Sequence, residues 1–157
     1  MGIYNPRQAI VVTCRADGFD DAVTLSWHSP ASFDPFLYSI FLYKERKSLE
    51  IIRGSGEFCV NFLTKDMAEI ALFCGTRSGH KVNKLKEGKI VQEECQQINS
   101  PRIQGCSAYL ECKTVQLAEI GDHVMVVGEV LKEVEGTMEK KLYQSNITGP
   151  FAFTTTF

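Results

Sequence analysis

Hydroxyls and cations cluster at three places in this chain, and together such groups hold phosphate oxygens. The first place is "TLSWHSP" (24–30), where Thr24, Ser26 and His28 alternate with Leu25 and Trp27, and Ser29 follows. That alternation describes a strand with one apolar face and one face of hydroxyls and an imidazole. It is either a solvated strand end or a set of groups that holds something polar. The second place is "KERKS" (44–48), just ahead of a short helix. Lys44, Arg46 and Lys47 bring charge, and Ser48 reads as the helix N-cap with a hydroxyl that could bond a phosphate. A helix start adds unpaired N–H groups and a positive dipole end. The bland alternative is a solvated, lysine-rich turn. The third place, "GTRSGHK" (75–81), combines glycines, hydroxyls and cations after a second helix.

Several chemistries lack their residues. There is no GxxxxGK[ST] loop and no GxGxxG after a strand, so neither a P-loop nor a Rossmann site is supported. No nucleophilic triad or carboxylate pair is evident. Three histidines (28, 80, 123) and six cysteines (14, 59, 74, 95, 106, 112) show no metal-ligand spacing and no CxxC, so neither zinc nor a disulfide framework is expected. Cys14, Cys59 and Cys112 fall in apolar strand patterns, where cysteine acts as a small hydrophobe. Cys74 ends a helix beside basic residues, which could make it reactive, but a packed thiol is the simpler reading. The net charge of −2 argues against a nucleic-acid binder working by bulk electrostatics. No apolar run approaches the roughly 20 residues that span a bilayer. The first residues lack signal-peptide features, and Pro6 stands where a myristoylation motif wants Ser or Thr. A cytoplasmic protein is expected, in which the "NIT" at Asn146 is no glycosylation site.

A chain of 157 residues fits one domain, 1–157, burying roughly 70% of its unfolded surface. Strand patterns cover 8–14, the quoted 24–30 stretch, 36–43 and 57–62, with "RADGFDD" (15–21) as a turn-rich connector. A long antiparallel hairpin is expected over 107–134, turning at "IGDH". One short helix follows Ser48 and stops at Gly54. Another follows the capping-box pair Asp66 and Glu69, packs Met67, Ile70, Ala71 and Cys74 on one face, and stops at Gly75. Residues 76–102 read as a polar surface excursion. The fold class is mainly β, a β-barrel or sandwich with short helices.

Four blocks in order make the sequence similar to a known family: "AVTLSWHSPASFDP", "LYKERKSLEIIRGSGEFCVNF", "FCGTRSGHKVNKL" and "SAYLECKTVQLAEIGDHVMVVGEV". Over roughly residues 5–134 the chain resembles the flavin reductase-like FMN-binding split barrels, flavoredoxin-type members among them. The resemblance implies a Greek-key split barrel, a homodimer, and FMN near the subunit interface. It sets Thr24, Ser26, Trp27, His28 and Ser29 against the ring and ribityl parts of the flavin. Tyr43 and Lys44 would border the flavin, Lys47 and Ser48 would contact the phosphate, and Ser78, Gly79, Lys81 and Val82 would come from a second flavin-facing loop. A buried flavin's polar edge must be hydrogen-bonded, which gives the small polar groups at 24–29 a reason.

The chain also departs from the family. Members often carry Asn where this chain has Asp21, and Arg, Asp, Asp and Phe at His80, Lys81, Asn83 and Leu85. Trp27 reads as core or dimer interface ahead of flavin stacking, and His28 equally as ligand contact or solvated. His123 reads as a turn-stabilising residue that could contact a nicotinamide. Asn61 is expected to bond backbone. Phe151, Phe153 and Phe157 suggest an edge strand or an arm over the partner. Two functions follow: a flavoprotein oxidoreductase passing hydride from NAD(P)H through FMN to an acceptor, or a non-enzymatic FMN electron carrier reduced by a partner protein.

Overall fold

Residues 9–14 are apolar apart from Thr13, and from Ile10 on they form a strand buried on both faces. Ile10, Val12 and Cys14 point into one core while Ala9 and Val11 point into another. This is the period-two signature of a strand covered on both sides. The computed structural model describes residues 3–146 and 152–155, to which all structural statements refer. In chain order the elements are β1 (Arg7–Gln8), β2 (Ile10–Ala16), β3 (Phe19–Leu25), β4 (His28–Ser32), β5 (Leu37–Tyr43), α1 (Lys47–Ser55) and β6 (Glu57–Phe62). A 3-10 turn (Lys65–Met67) then leads to α2 (Ala68–Thr76), α3 (Lys84–Glu87), β7 (Gln92–Glu94), β8 (Pro101–Ile103), β9 (Ala108–Ile120), β10 (His123–Glu135), β11 (Leu142–Asn146) and β12 (Ala152–Thr155).

Seven strands make one antiparallel sheet in the order β3-β2-β6-β9-β10-β5-β4. Its two edges, β3 and β4, are consecutive in the chain and joined only by Ser26 and Trp27. At that corner Phe41 N–H of β5 donates to the Trp27 carbonyl at 3.1 Å, which carries the β4–β5 pairing one residue toward β3. The mainly β architecture with short helices is the one expected from the sequence. A smaller sheet, β1-β11-β12, and the β7-β8 hairpin complete it. No described helix is long and apolar enough to cross a membrane.

The inner core joins Ile10, Val12, Val23, Ile40, Leu42, Phe58, Val60, Val124 and Val126 with Leu49 and Ile52 of α1. Burying one such side chain contributes about 1.5–3 kcal/mol. The outer core packs α2, α3 and the excursion onto the other sheet face through Ala71, Cys74, Leu85, Ile98 and Ile103. Cys74 is thus a packed thiol, pushed up to about 12 chiefly by burial.

Several local expectations need correction. Phe19–Asp21 belong to β3 rather than to a connector, because they pair with Ala16–Cys14 across a tight turn. Helix α1 is capped by Arg46 without a side-chain bond and ends at Gly56, not Gly54. Gly56 takes the left-handed conformation (φ +73°) that glycine adopts without steric cost. The Ser48 side chain is turned inward instead of capping. Asp66 lies inside the 3-10 turn, so it does not cap α2, which starts at Ala68; α2 also runs one residue past Gly75. The 76–102 excursion is more than surface: Lys84, Leu85, Ile90, Ile98 and Ser100 are all buried. Phe153 lies on β12 and packs against the outer core, whereas Phe151 and Phe157 are outside the described residues.

Candidate functional site

The β5–β10 ladder sets Tyr43 directly opposite His123. At this end of the sheet the β3–β4 corner delivers Trp27, and the three rings stack. His123 lies between Trp27, with centroids 4.7 Å apart, and Tyr43, at 4.1 Å. Tyr4 meets the indole edge-on at 6.2 Å. The imidazole is also oriented from the turn, because Nδ1 lies 2.6 Å from Asp122 Oδ1. Trp27 is 40% exposed, so in the single chain it is a surface residue rather than core.

Trp27, His123 and Tyr4 wall a cleft of about 530 Å³, lined also by Arg7, His28, Ser29, Phe41 and Ile120. Arg7 is held against the corner by its Nε–H donating to the Ser26 carbonyl at 2.8 Å. His28 uses both ring nitrogens: Nε2 is 2.7 Å from the Gln8 carbonyl and Nδ1 is 2.7 Å from the Tyr38 hydroxyl. The carbonyl can only accept, so neutral His28 carries its proton on Nε2 and Tyr38 donates to Nδ1. Burial lowers the His28 pKa below the usual imidazole value, and it lifts Tyr38 to about 12. The Thr24 hydroxyl is buried and donates to the Ala71 carbonyl of α2 at 2.6 Å. Ser26 is buried as well, whereas Ser29 is exposed and donates to the Pro30 carbonyl. Asn61 bonds backbone as expected, donating to the Val11 carbonyl at 2.9 Å and accepting from Ile103 N–H at 2.7 Å.

Four residues beyond Tyr43 the chain enters α1, beside a second cleft of about 520 Å³ lined by Phe19, Lys47, Glu50, Gly79 and His80 among others. The N–H groups of Lys47 and Ser48 precede the first helical hydrogen bonds. Lys47 pairs with Glu50 at 2.8 Å, and Lys44 with Glu119 at 3.3 Å. The loop from Ser78 to Val82 folds onto this segment: Lys81 and Val82 N–H donate to the Ser78 carbonyl, and His80 Nε2 lies 3.2 Å from the Glu45 carbonyl. All three polar stretches singled out in the sequence therefore lie along one path, from the Trp27 corner through Tyr43 to the start of α1.

One expected contact points elsewhere. The Ser48 hydroxyl is fully buried and donates to Asp21 Oδ2 at 2.6 Å. Asp21 and its partner Lys84 were not among the expected site residues, nor were Tyr4 and Arg7. Lys84 lies in a lysine-rich run that gives no hint of burial, and Tyr4 and Arg7 precede the first recognisable strand.

The profile of the flavin reductase like domain matches residues 1–147. An uncharacterised protein of Archaeoglobus fulgidus is 34% identical over 116 residues, covering 74% of this chain and 66% of its own length. The reductase subunit HsaB of a flavin-dependent monooxygenase from Mycobacterium tuberculosis is 30% identical, covering 75% of this chain. The chain spans only 62% of that subunit's length. In structure, flavoredoxin from Methanosarcina acetivorans superposes with a TM-score of 0.84 at 23% identity, covering 99% of this chain and 87% of that protein. The chain belongs to the flavin reductase-like domain family.

Proposed function

We propose that this protein is an FMN-binding oxidoreductase of the flavin reductase type, taking hydride from NADH or NADPH and passing electrons to an acceptor. The observation that carries the reading is the convergence of the Trp27–His123–Tyr43 stack with the start of α1 and the Ser78–Val82 loop. The donor set fits a phosphorylated flavin. Lys47, the first-turn N–H groups of α1 and the exposed Lys81 would hold the phosphate. Tyr43, Lys44 and the backbone of 24–29 would border the ring, with Thr24 and Ser26 shaping that backbone. Bound FMN supplies hydride and electron transfer at N5, chemistry that no side chain here offers. Lys44 would stabilise negative charge on a reduced flavin held there. His123, oriented by Asp122, would donate or accept a hydrogen bond beside the ring.

A homodimer is part of the proposal. Trp27, Tyr43, Leu117 and Ile120 are all at least 40% exposed in the single chain, and a second copy would cover such an apolar rim and narrow the clefts. The buried, unpaired thiols suit a reducing cytoplasm.

A second reading has its own observation. The His123 imidazole is nearly buried, with Trp27 and Tyr43 packed against it, so it is not open to receive a nicotinamide, which favours an electron carrier reduced by a partner protein. One experiment separates the two. Protein loaded with FMN and desalted is mixed anaerobically with NADH or NADPH while flavin absorbance is followed. Rapid bleaching of retained flavin is the expected result. Retained colour that only a chemical reductant removes would establish the carrier. Loss of all flavin on desalting, with no nucleotide oxidation when free FMN is restored, would overturn both.

A further inference from the structure

Behind the start of α1 lies a buried ion pair that joins the elements of the proposed flavin site. Asp21 on β3 and Lys84 on α3 are each 1% exposed, with Nζ 3.7 Å from Oδ1. Lys84 also donates to the carbonyls of Ala22 at 2.6 Å and Cys74 at 3.2 Å. The other carboxylate oxygen of Asp21 accepts the Ser48 hydroxyl at 2.6 Å. Gly79 packs so closely on this carboxylate that a Cβ there would lie 2.6–2.7 Å from its atoms. One carboxylate thus touches the first turn of α1, the Ser78–Val82 loop and α3.

Two consequences follow for an anion at the first turn of α1. A hydroxyl has one proton to give, and the Ser48 proton is given to Asp21, so a phosphate receives none from it. The Asp21 carboxylate also lies one side chain behind the anion site, where it pairs with Lys84. In a buried setting such a charge is weakly screened. We propose that Asp21 is a specificity-determining residue that weakens selection for the flavin phosphate by withholding the Ser48 hydroxyl and placing its own charge behind the site. The inference rests on the flavin reading above. It describes a pocket that takes phosphorylated and unphosphorylated flavins with modest discrimination.

The test is the ratio of riboflavin to FMN dissociation constants, measured by flavin fluorescence titration on the full-length protein, with urea unfolding alongside. Asp21→Asn removes the charge and leaves Ser48 a weaker, neutral acceptor, so the ratio is expected to rise about tenfold in favour of FMN. A merely structural role would instead weaken both flavins together with stability, leaving the ratio unmoved. Ser48→Ala alone is expected to change the ratio less than twofold, and to cancel part of the gain when added to Asp21→Asn. An unchanged or falling ratio in Asp21→Asn overturns the inference. So does a selective loss of FMN affinity in Ser48→Ala, which stays readable even if Asp21→Asn fails to fold. Failure of the wild-type protein to bind either flavin would instead overturn the flavin reading itself.

Discussion

The imidazole of His123 stacks on the indole of Trp27 with centroids 4.7 Å apart and planes inclined by 27°. Neither residue lies on a regular strand interior: one opens β10 and the other lies in the two-residue corner between β3 and β4. Their contact therefore reports on the packing of that corner, and Trp27, the chain's single tryptophan, makes the report optical.

Flavin binding is expected to quench Trp27. A flavin seated along Tyr43 lies within stacking or energy-transfer range of the indole, so titration with FMN should extinguish most of the tryptophan emission saturably. Emission that stays constant while the flavin's own fluorescence reports binding would move the site away from this cleft.

The buried His28 gives stability an acid limb. Its folded pKa lies below the ordinary value of about 6.5, chiefly through burial, with a smaller effect of Arg7 opposed by the bond to the Gln8 carbonyl. Above about pH 6.5 both folded and unfolded states hold it neutral, and stability is full. As pH falls through that value toward the folded pKa, the unfolded chain takes the proton first and stability drops. His28→Gln should show a shallower decline than wild type in urea midpoints measured from pH 7.5 to 5. Parallel curves would mean that His28 does not titrate differently on folding.

The strands were legible because apolar periodicity is a local property. The run 57–62 matches β6 residue for residue, and the 107–134 hairpin matches β9 and β10 to within a residue or so. Helix ends were less legible, because Ser48 has a capping residue's chemistry but lies inside α1 and donates its hydroxyl to Asp21, which is distant in sequence. The site was partly legible: its three polar stretches and His123 could be read, and their order matched a family. The Asp21–Lys84 pair could not, since a lysine in "KVNKLKEGK" shows its burial only when α3 docks on β3. The excursion was misread for the same reason, its few apolar residues being separated by charges that face solvent.

The cysteines should divide five to one. Cys14, Cys59, Cys74, Cys106 and Cys112 are buried and Cys95 is half-buried. Burial raises the pKa of each of the five, that of Cys106 to about 12. Since the thiolate is the reactive form, native protein should release no more than about one equivalent of thionitrobenzoate rapidly from Ellman's reagent. Six should follow in denaturant. Rapid reaction of three or more thiols in the native state would contradict the packing described.

Gly128 is the tightest test of the inner core. It sits in β10 opposite Tyr38 and beside a shift in the β9 register. A Cβ there would lie 2.7 Å from Phe58 Cζ and 2.8 Å from Cys112 Cβ. The Phe58 ring is fully buried and cannot swing into open space. Gly128→Ala is therefore expected to cost about 1–3 kcal/mol, the usual range for overpacking, read from urea unfolding. Phe58→Leu alone should also destabilise, through the volume it leaves empty. Because the added methyl occupies part of that volume, the double variant should be more stable than the sum of the two losses predicts. Strict additivity would show that the cost of alanine at 128 arises in the backbone rather than against Phe58.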